Sequence, residues 1–252
     1  MNGLLLYILP VAILGGFFVG SFLNVLADRL PVGENVLWGR SHCDACKKTL
    51  RWFELIPLLS FLAVSGRCLR CHTKLSWEYP AVEALTGLAY GLIVASFFFS
   101  NPWYCASLLI VTSALIVIFV ADLKYFIIPD SMIVVALLGT LVVLIPQSPT
   151  VWINHIFTAV ISGCFFYALW YGTKKKGLGF GDVKFSFLMG FFLGFPQIIT
   201  AMYVAFLTGA GLGVILILGH KKSLKSRVPF GPFLILGFFT ALFISLPKLI
   251  GL

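Results

Sequence analysis

Residues 177–219 read GLGFGDVKFSFLMGFFLGFPQIITAMYVAFLTGAGLGVILILG and carry two charged side chains, Asp182 and Lys184. How often this stretch crosses a bilayer sets the parity of everything around it. A hydrophobic run of about 17 to 25 residues can cross as a helix, the form that satisfies every backbone polar group internally. Residues 197–219 meet that length. The run 183–195 is short, and reads as a helix sheltered by its neighbours, a re-entrant segment, or one helix with the next, broken at Gly194-Phe195-Pro196.

Working outward, further candidate spans fall near 4–27, 80–99, 103–121, 130–146, 152–171 and 230–250. The expected fold is therefore an all-α polytopic membrane protein with about eight transmembrane helices. The first span lacks a basic leader region and runs too long for a cleavable signal, so it is expected to be retained. Lys and Arg collect on the cytoplasmic side of membrane proteins. The segment 28–79, the loop with Lys124, the loop with Lys174, Lys175 and Lys176, and the loop with Lys221, Lys222, Lys225 and Arg227 fall on one side. The opposite loops and both termini hold only Lys248. The alternation works only if 183–195 counts as a pass. It predicts a membrane protein with an outward N-terminus and cytoplasmic basic loops.

Composition agrees. Of 252 residues, 60% are hydrophobic and 11% charged, against about 25% charged in soluble domains. This excludes a soluble fold, a disordered chain, a secreted disulfide scaffold and an isolated nucleic-acid-binding domain. Thirteen of the 27 charged residues lie between Asp28 and Pro80. The expected organisation is a first helix over 1–27, a polar cytoplasmic insert over 28–79 and a membrane core over 80–252, with no internal repeat evident. The net charge of +9 reads as membrane topology, with lipid rather than nucleic acid as the surrounding partner.

The insert holds two matching hooks, Cys43-x-x-Cys46 and Cys68-x-x-Cys71. Each brings two thiolates to a tetrahedral ion from one tight turn, and four cysteines leave no open position for a catalytic water. Structural zinc is the reading, because a reducing cytoplasm disfavours disulfides; a redox role, or no metal at all, are the alternatives. His42 and His72 flank the hooks as solvated loop residues or spare ligands. Cys105 and Cys164 lie in spans and read as packing residues.

After residue 80 only Glu83, Asp122, Asp130 and Asp182 are acidic, and charge near hydrocarbon is expensive. Asp130 follows Pro129 and suits a helix cap. Glu83 suits a pair with a basic neighbour. Asp122 ends the third span, and Asp182 opens the sixth after Gly177-Leu-Gly-Phe-Gly181, both at the predicted cytoplasmic edge. Two adjacent carboxylates do not both ionise easily, so one activates water while the other gives a proton to a carbonyl, the division of labour in aspartic proteases. The glycines beside Asp182 would permit unusual backbone angles and close approach of a peptide. From spacing alone, an N-cap remains the plain reading of Asp182. Gly209 and Gly213, in the seventh span, lack the context of a nucleotide loop and read as a small-xxx-small packing pair.

These residues together resemble bacterial type IV prepilin peptidases, membrane aspartic proteases with a Gly-x-Gly-Asp motif, over nearly the whole chain. The likeness runs through Gly20-Ser-Phe-Leu-Asn-Val25 and Arg29-Leu-Pro31, the two hooks with Ile56-Pro-Leu-Leu-Ser60 between them, and Tyr79-Pro80 with Glu83. It continues through Asp122 to Pro129-Asp130, Gly179-Phe-Gly181-Asp182-Val-Lys184 and Pro229-Phe-Gly-Pro-Phe233. The resemblance implies Asp122 and Asp182 as the catalytic pair, with Gly179, Gly181, Lys184 and Pro129 as supporting motif residues and 80–252 as the protease core. It implies prepilin or pseudopilin substrates, cut after a glycine behind a short basic leader. It also implies methylation of the new N-terminus from S-adenosylmethionine, for which no donor-binding residues can be assigned. The rival readings are an ion-coupled transporter using Asp122 and Asp182 and a scaffold whose insert only docks partners.

Overall fold

The structure, a computed structural model, describes residues 2–36, 38–39, 41–43, 45–174, 177–218 and 228–244. Lys175, Lys176, Lys221, Lys222, Lys225, Arg227 and Lys248, on which part of the orientation reading rests, lie outside the described residues, as does Asp44 of the first hook.

Among the described residues the chain is helical, with isolated bridges and no strands. The helices are α1 Asn2–Arg29, α2 Leu59–Ala63, α3 Glu78–Phe97, α4 Pro102–Tyr125, α5 Asp130–Leu144, α6 Pro149–Gly172, α7 Phe180–Leu193, α8 Gln197–Leu218 and α9 Gly231–Phe243. Leaving out the short α2, these are the eight expected spans. Five of them, α1, α3, α4, α6 and α8, are long and apolar enough to cross a membrane; α5 and α9 are shorter apolar helices. The chain divides into two compact units, Met1–Val117 and Ile118–Leu252.

In the first unit α1 packs along α3. Small residues set the distance: a Cβ on Gly16 would lie 2.7 Å from Gly87 Cα, and one on Gly20 would lie 2.8 Å from Glu83 Cα. Gly16-x-x-x-Gly20 and Gly87-x-x-x-Gly91 are the pattern that lets two membrane helices touch backbone to backbone. The insert between the two helices holds the cysteine hooks, a 3-10 turn at Trp52–Leu55 and α2.

In the second unit α7 touches α5, α6, α8 and α9. Val183, Phe185, Leu188, Met189, Phe192 and Leu193 are buried, so α7 is a short helix sheltered by its neighbours. It ends at Gly194, whose φ of +66° suits glycine, before α8 begins at Gln197. Ser162 of α6 donates to the Ser186 carbonyl of α7 at 2.9 Å, and a Cβ on Gly190 would lie 2.8 Å from Ala159 Cα. Glycine at 190 is therefore needed for the α6–α7 seam.

The Gly209/Gly213 expectation holds only in part. Gly209 lies against the rings of Phe230 and Phe233, but among the described residues nothing comes within 4 Å of a Cβ on Gly213. The close helix contacts of the described chain are made instead by Gly16, Gly20, Gly87, Gly91 and Gly190, and by Gly237, whose Cβ would collide with the Ala201 carbonyl.

Candidate functional site

The two hooks are one backbone repeated. In the first, the Cys43 N–H donates to the Lys48 carbonyl, Lys47 N–H to Cys43 and Leu50 N–H to Ser41; in the second, Cys68 donates to Thr73, His72 to Cys68 and Leu75 to Gly66. The matched residues Lys47 and His72 take φ of +56° and +55°. Isolated bridges at His42–Thr49 and Arg67–Lys74 close each turn. This local repeat, 41–50 and 66–75, is absent from the sequence reading because, besides the cysteines, only Leu50 and Leu75 recur as identical residues.

The Sγ atoms of Cys43, Cys46, Cys68 and Cys71 all lie within 4.8 Å of one another, so the cluster could hold a metal ion. Those of Cys43 and Cys71 are 3.8 Å apart, the edge of a tetrahedron whose centre binds sulfur at about 2.3 Å. The Cys46 N–H favours the Cys43 thiolate, but burial and the neighbouring thiols outweigh it and push Cys43 up to about 11. Hydrogen bonds from Thr73, through its hydroxyl and its backbone, hold Cys71 down to about 6. Thiolates are the form that ligates a dication, so metal binding at this cluster would release protons. His42 and His72 are exposed and stand outside the cluster. Cys105 is buried, as expected; Cys164 is exposed and borders a groove between α5, α6 and α7.

Asp122 lies in the last turn of α4 and Asp182 in the first turn of α7, 5% and 7% exposed. They are close enough for the Asp122 charge to act on Asp182. Each has one oxygen fixed by a backbone N–H: Asp122 Oδ2 accepts from Gly231 at 2.8 Å, and Asp182 Oδ2 accepts from Gly179 at 3.0 Å. The second bond is the reaching-back half of a capping box, with Gly179 as N-cap and Asp182 at the third helical position. Asp182 thus serves its helix and still leaves Oδ1 for chemistry.

The donor to Asp122 is built by α9. Phe230, its N-cap, packs against Phe206 and Phe166 with ring centroids 5.4 and 6.2 Å away, which fixes the next residue. Gly231 is the first residue of α9, with Pro232 after it in the first turn, so the Gly231 N–H has no partner inside the helix. A Cβ on Gly231 would lie 2.6 Å from Asp122 Oδ2. Sequence reasoning passed over this residue's role, although Pro229-Phe-Gly-Pro-Phe233 was the available signal.

The supporting residues behave differently from expectation. Gly179 and Gly181 do not take positive φ; they allow close approach of their own chain, Gly179 toward the Asp182 carboxylate and Gly181 against Ile128, 3.0 Å from a Cβ placed there. Pro129 is the N-cap of α5, and Asp130 makes no capping bond. Its carboxylate instead accepts from Lys184 Nζ at 2.7 and 2.8 Å, tying α5 to the first turn of α7. Among the described residues Glu83 finds no basic partner: its Oε2 accepts from the Leu58 N–H at 2.8 Å, with Ser21 also bonded to it. The corrections at Asp130 and Glu83 share a cause, since each true partner lies 25 or more positions away along the chain and is either a backbone group or a residue given another task.

Residues 14–97 match the bacterial peptidase A24 N-terminal domain, and residues 109–214 match the type IV leader peptidase family. A type 4 prepilin-like proteins leader peptide-processing enzyme of Escherichia coli O78:H11 is 32% identical, the match covering 91% of each chain. A prepilin leader peptidase/N-methyltransferase of Bacillus subtilis is 29% identical over 89% of each. Another of that name from Myxococcus xanthus is 31% identical over 82% of this chain and 63% of its own length. No solved structure matches significantly. Nothing in these likenesses supports a transporter. Two buried carboxylates at helix ends, a four-cysteine insert and both matched domains in order lead to one conclusion: the chain belongs to the type IV leader peptidase family.

Proposed function

We propose that this membrane protease removes the leader of type IV prepilins or pseudopilins, cutting after a glycine at the cytoplasmic membrane edge with Asp122 and Asp182 as the catalytic pair, and methylates the N-terminus it creates. The observation that carries the reading is the arrangement of the pair: two nearly buried carboxylates close enough to interact, each with Oδ2 held by a backbone N–H. The ionised member takes a proton from water as the oxygen attacks the scissile carbonyl. The protonated member gives its proton to the carbonyl oxygen. Collapse of the tetrahedral intermediate breaks the C–N bond, and a proton passes to the departing amine. Which aspartate starts ionised is a property of the coupled pair. The substrate's hydrophobic helix stays in the bilayer, and its basic leader stays on the side of the basic loops.

Cys43, Cys46, Cys68 and Cys71 hold zinc in this reading; four sulfur ligands at tetrahedral spacing suit that ion, which here folds the insert over 28–79. S-adenosylmethionine supplies the methyl group, and no residue is assigned to it. The enzyme lies in the inner membrane with its N-terminus outside, the protease core extending over 80–252. Co-expression with a prepilin tests the whole: the product should lose its leader and gain one methyl mass at the new N-terminus. An uncut product with parent enzyme present in the membrane would overturn the proposal.

A further inference from the structure

The insert over 28–79 is the most charged part of the chain, yet its middle, Leu55 to Gly66, carries no charged side chain at all. This run does not build a core of its own. Phe61 and Pro57 turn inward, Phe61 against Trp77 with ring centroids 4.8 Å apart. Leu59 and Leu62, on α2, are 66% and 65% exposed, and Trp52 and Leu55 on the preceding turn are exposed as well. Single exposed apolar residues need no explanation, but a contiguous set on one short segment marks a contact surface.

Two observations say what covers it. The first is depth. The Leu58 N–H donates to Glu83, which lies five residues inside α3 from its start at Glu78, about 7.5 Å along the helix axis. The run is therefore tied beside the membrane helix below its polar end, at the level where amphipathic segments sink about 5–10 Å into the boundary between headgroups and acyl chains. The second is the charge pattern. Exposed Arg51 and Arg67 flank the run, and Trp77 stands at the mouth of α3. Basic residues beside an apolar face, with tryptophan at the helix end, are the composition of a surface that meets anionic headgroups.

We propose that Trp52 to Leu62 is a foot planted in the membrane interface, with Leu59 and Leu62 among the acyl chains and Arg51 and Arg67 on the phosphates of anionic phospholipid. The foot does not depend on the peptidase reading. It fixes the metal insert against the bilayer at a second place besides the helices that enter and leave it.

The test places the photo-reactive amino acid p-benzoylphenylalanine at position 59 or, separately, at position 62 of the full-length, metal-loaded protein. Both sites are exposed, so folding is spared. The protein is irradiated in nanodiscs of phosphatidylethanolamine with phosphatidylglycerol as the minor component, and adducts are weighed. Phospholipid adducts are expected at both positions, with phosphatidylglycerol above its mole fraction by about two-fold or more, falling to the mole fraction in the Arg51→Gln, Arg67→Gln double variant. Absence of lipid adducts, cross-links only to a second copy or to co-reconstituted pilin, or no phosphatidylglycerol enrichment in the parent would each overturn the proposal.

Discussion

The metal insert and the aspartate pair both gather groups that repel one another, and they do so by opposite means. Four thiols come from two copies of one ten-residue hairpin, each set by its own backbone bonds. The two carboxylates stand sixty residues apart in the chain. Their oxygens are placed by the end of α4, the first turn of α7 and the first N–H of α9, which in turn depends on the ring contacts of Phe230. A locally specified site should fail alone, and should fail when its ion leaves. A site assembled from distant helices should fail by fractions of an ångström when any helix contact shifts.

Asp122→Asn and Asp182→Asn give the largest expected effect, a loss of leader cleavage of roughly 10²–10⁴-fold. Each amide oxygen can still accept the N–H of Gly231 or Gly179, so membrane levels of protein should not change. Near-normal cleavage by either variant, measured on a purified prepilin, would remove the aspartic mechanism. Next comes Cys68→Ser, for which metal analysis should fall from one ion per chain to none while hydrogen exchange rises across 41–75 and stays slow in α6 and α7. Equal loosening of both regions would erase the contrast. Gly231→Ala should cost about 10-fold to 100-fold in kcat with unchanged thermal stability, because its Cβ displaces the Asp122 carboxylate and small misplacement of a reacting group is expensive. The smallest effect is at the α6–α7 seam. Gly190→Ala should lower stability to chemical unfolding by about 1–3 kcal/mol, whereas Gly213→Ala, with no described residue within 4 Å of its Cβ, should be neutral or slightly stabilising.

How much of this could be read beforehand follows the same division. Eight helices emerge from hydropathy because lipid demands long apolar runs, and the hooks emerge because their spacing is local. The positions of Asp122 and Asp182 at helix ends were likewise visible in the flanking polar residues. Their partners were not. Gly231, Leu58 and Lys184 act through a backbone N–H, a backbone N–H and an ammonium brought from another element, and no local pattern encodes such pairings. The choice of Gly209 and Gly213 shows the limit clearly: a small-xxx-small spacing exposes a flat face but does not say whether a helix or lipid lies against it. Gly16 and Gly20 had the same spacing and the partner, Gly87.

The brevity of three helices has a mechanical consequence. α5, α7 and α9 have 15, 14 and 13 residues, rises of about 22, 21 and 20 Å, against about 30 Å of hydrocarbon. Such a mismatch is met by thinning the bilayer or by drawing polar groups and water inward, at a fraction of a kcal/mol per ångström. Asp182 and the N–H that holds Asp122 both stand at the N-termini of these short helices. A dented membrane there would bring solvent to the carboxylates without opening the protein, and cleavage would become sensitive to lipid chain length, slowing as the acyl chains of the host bilayer grow longer.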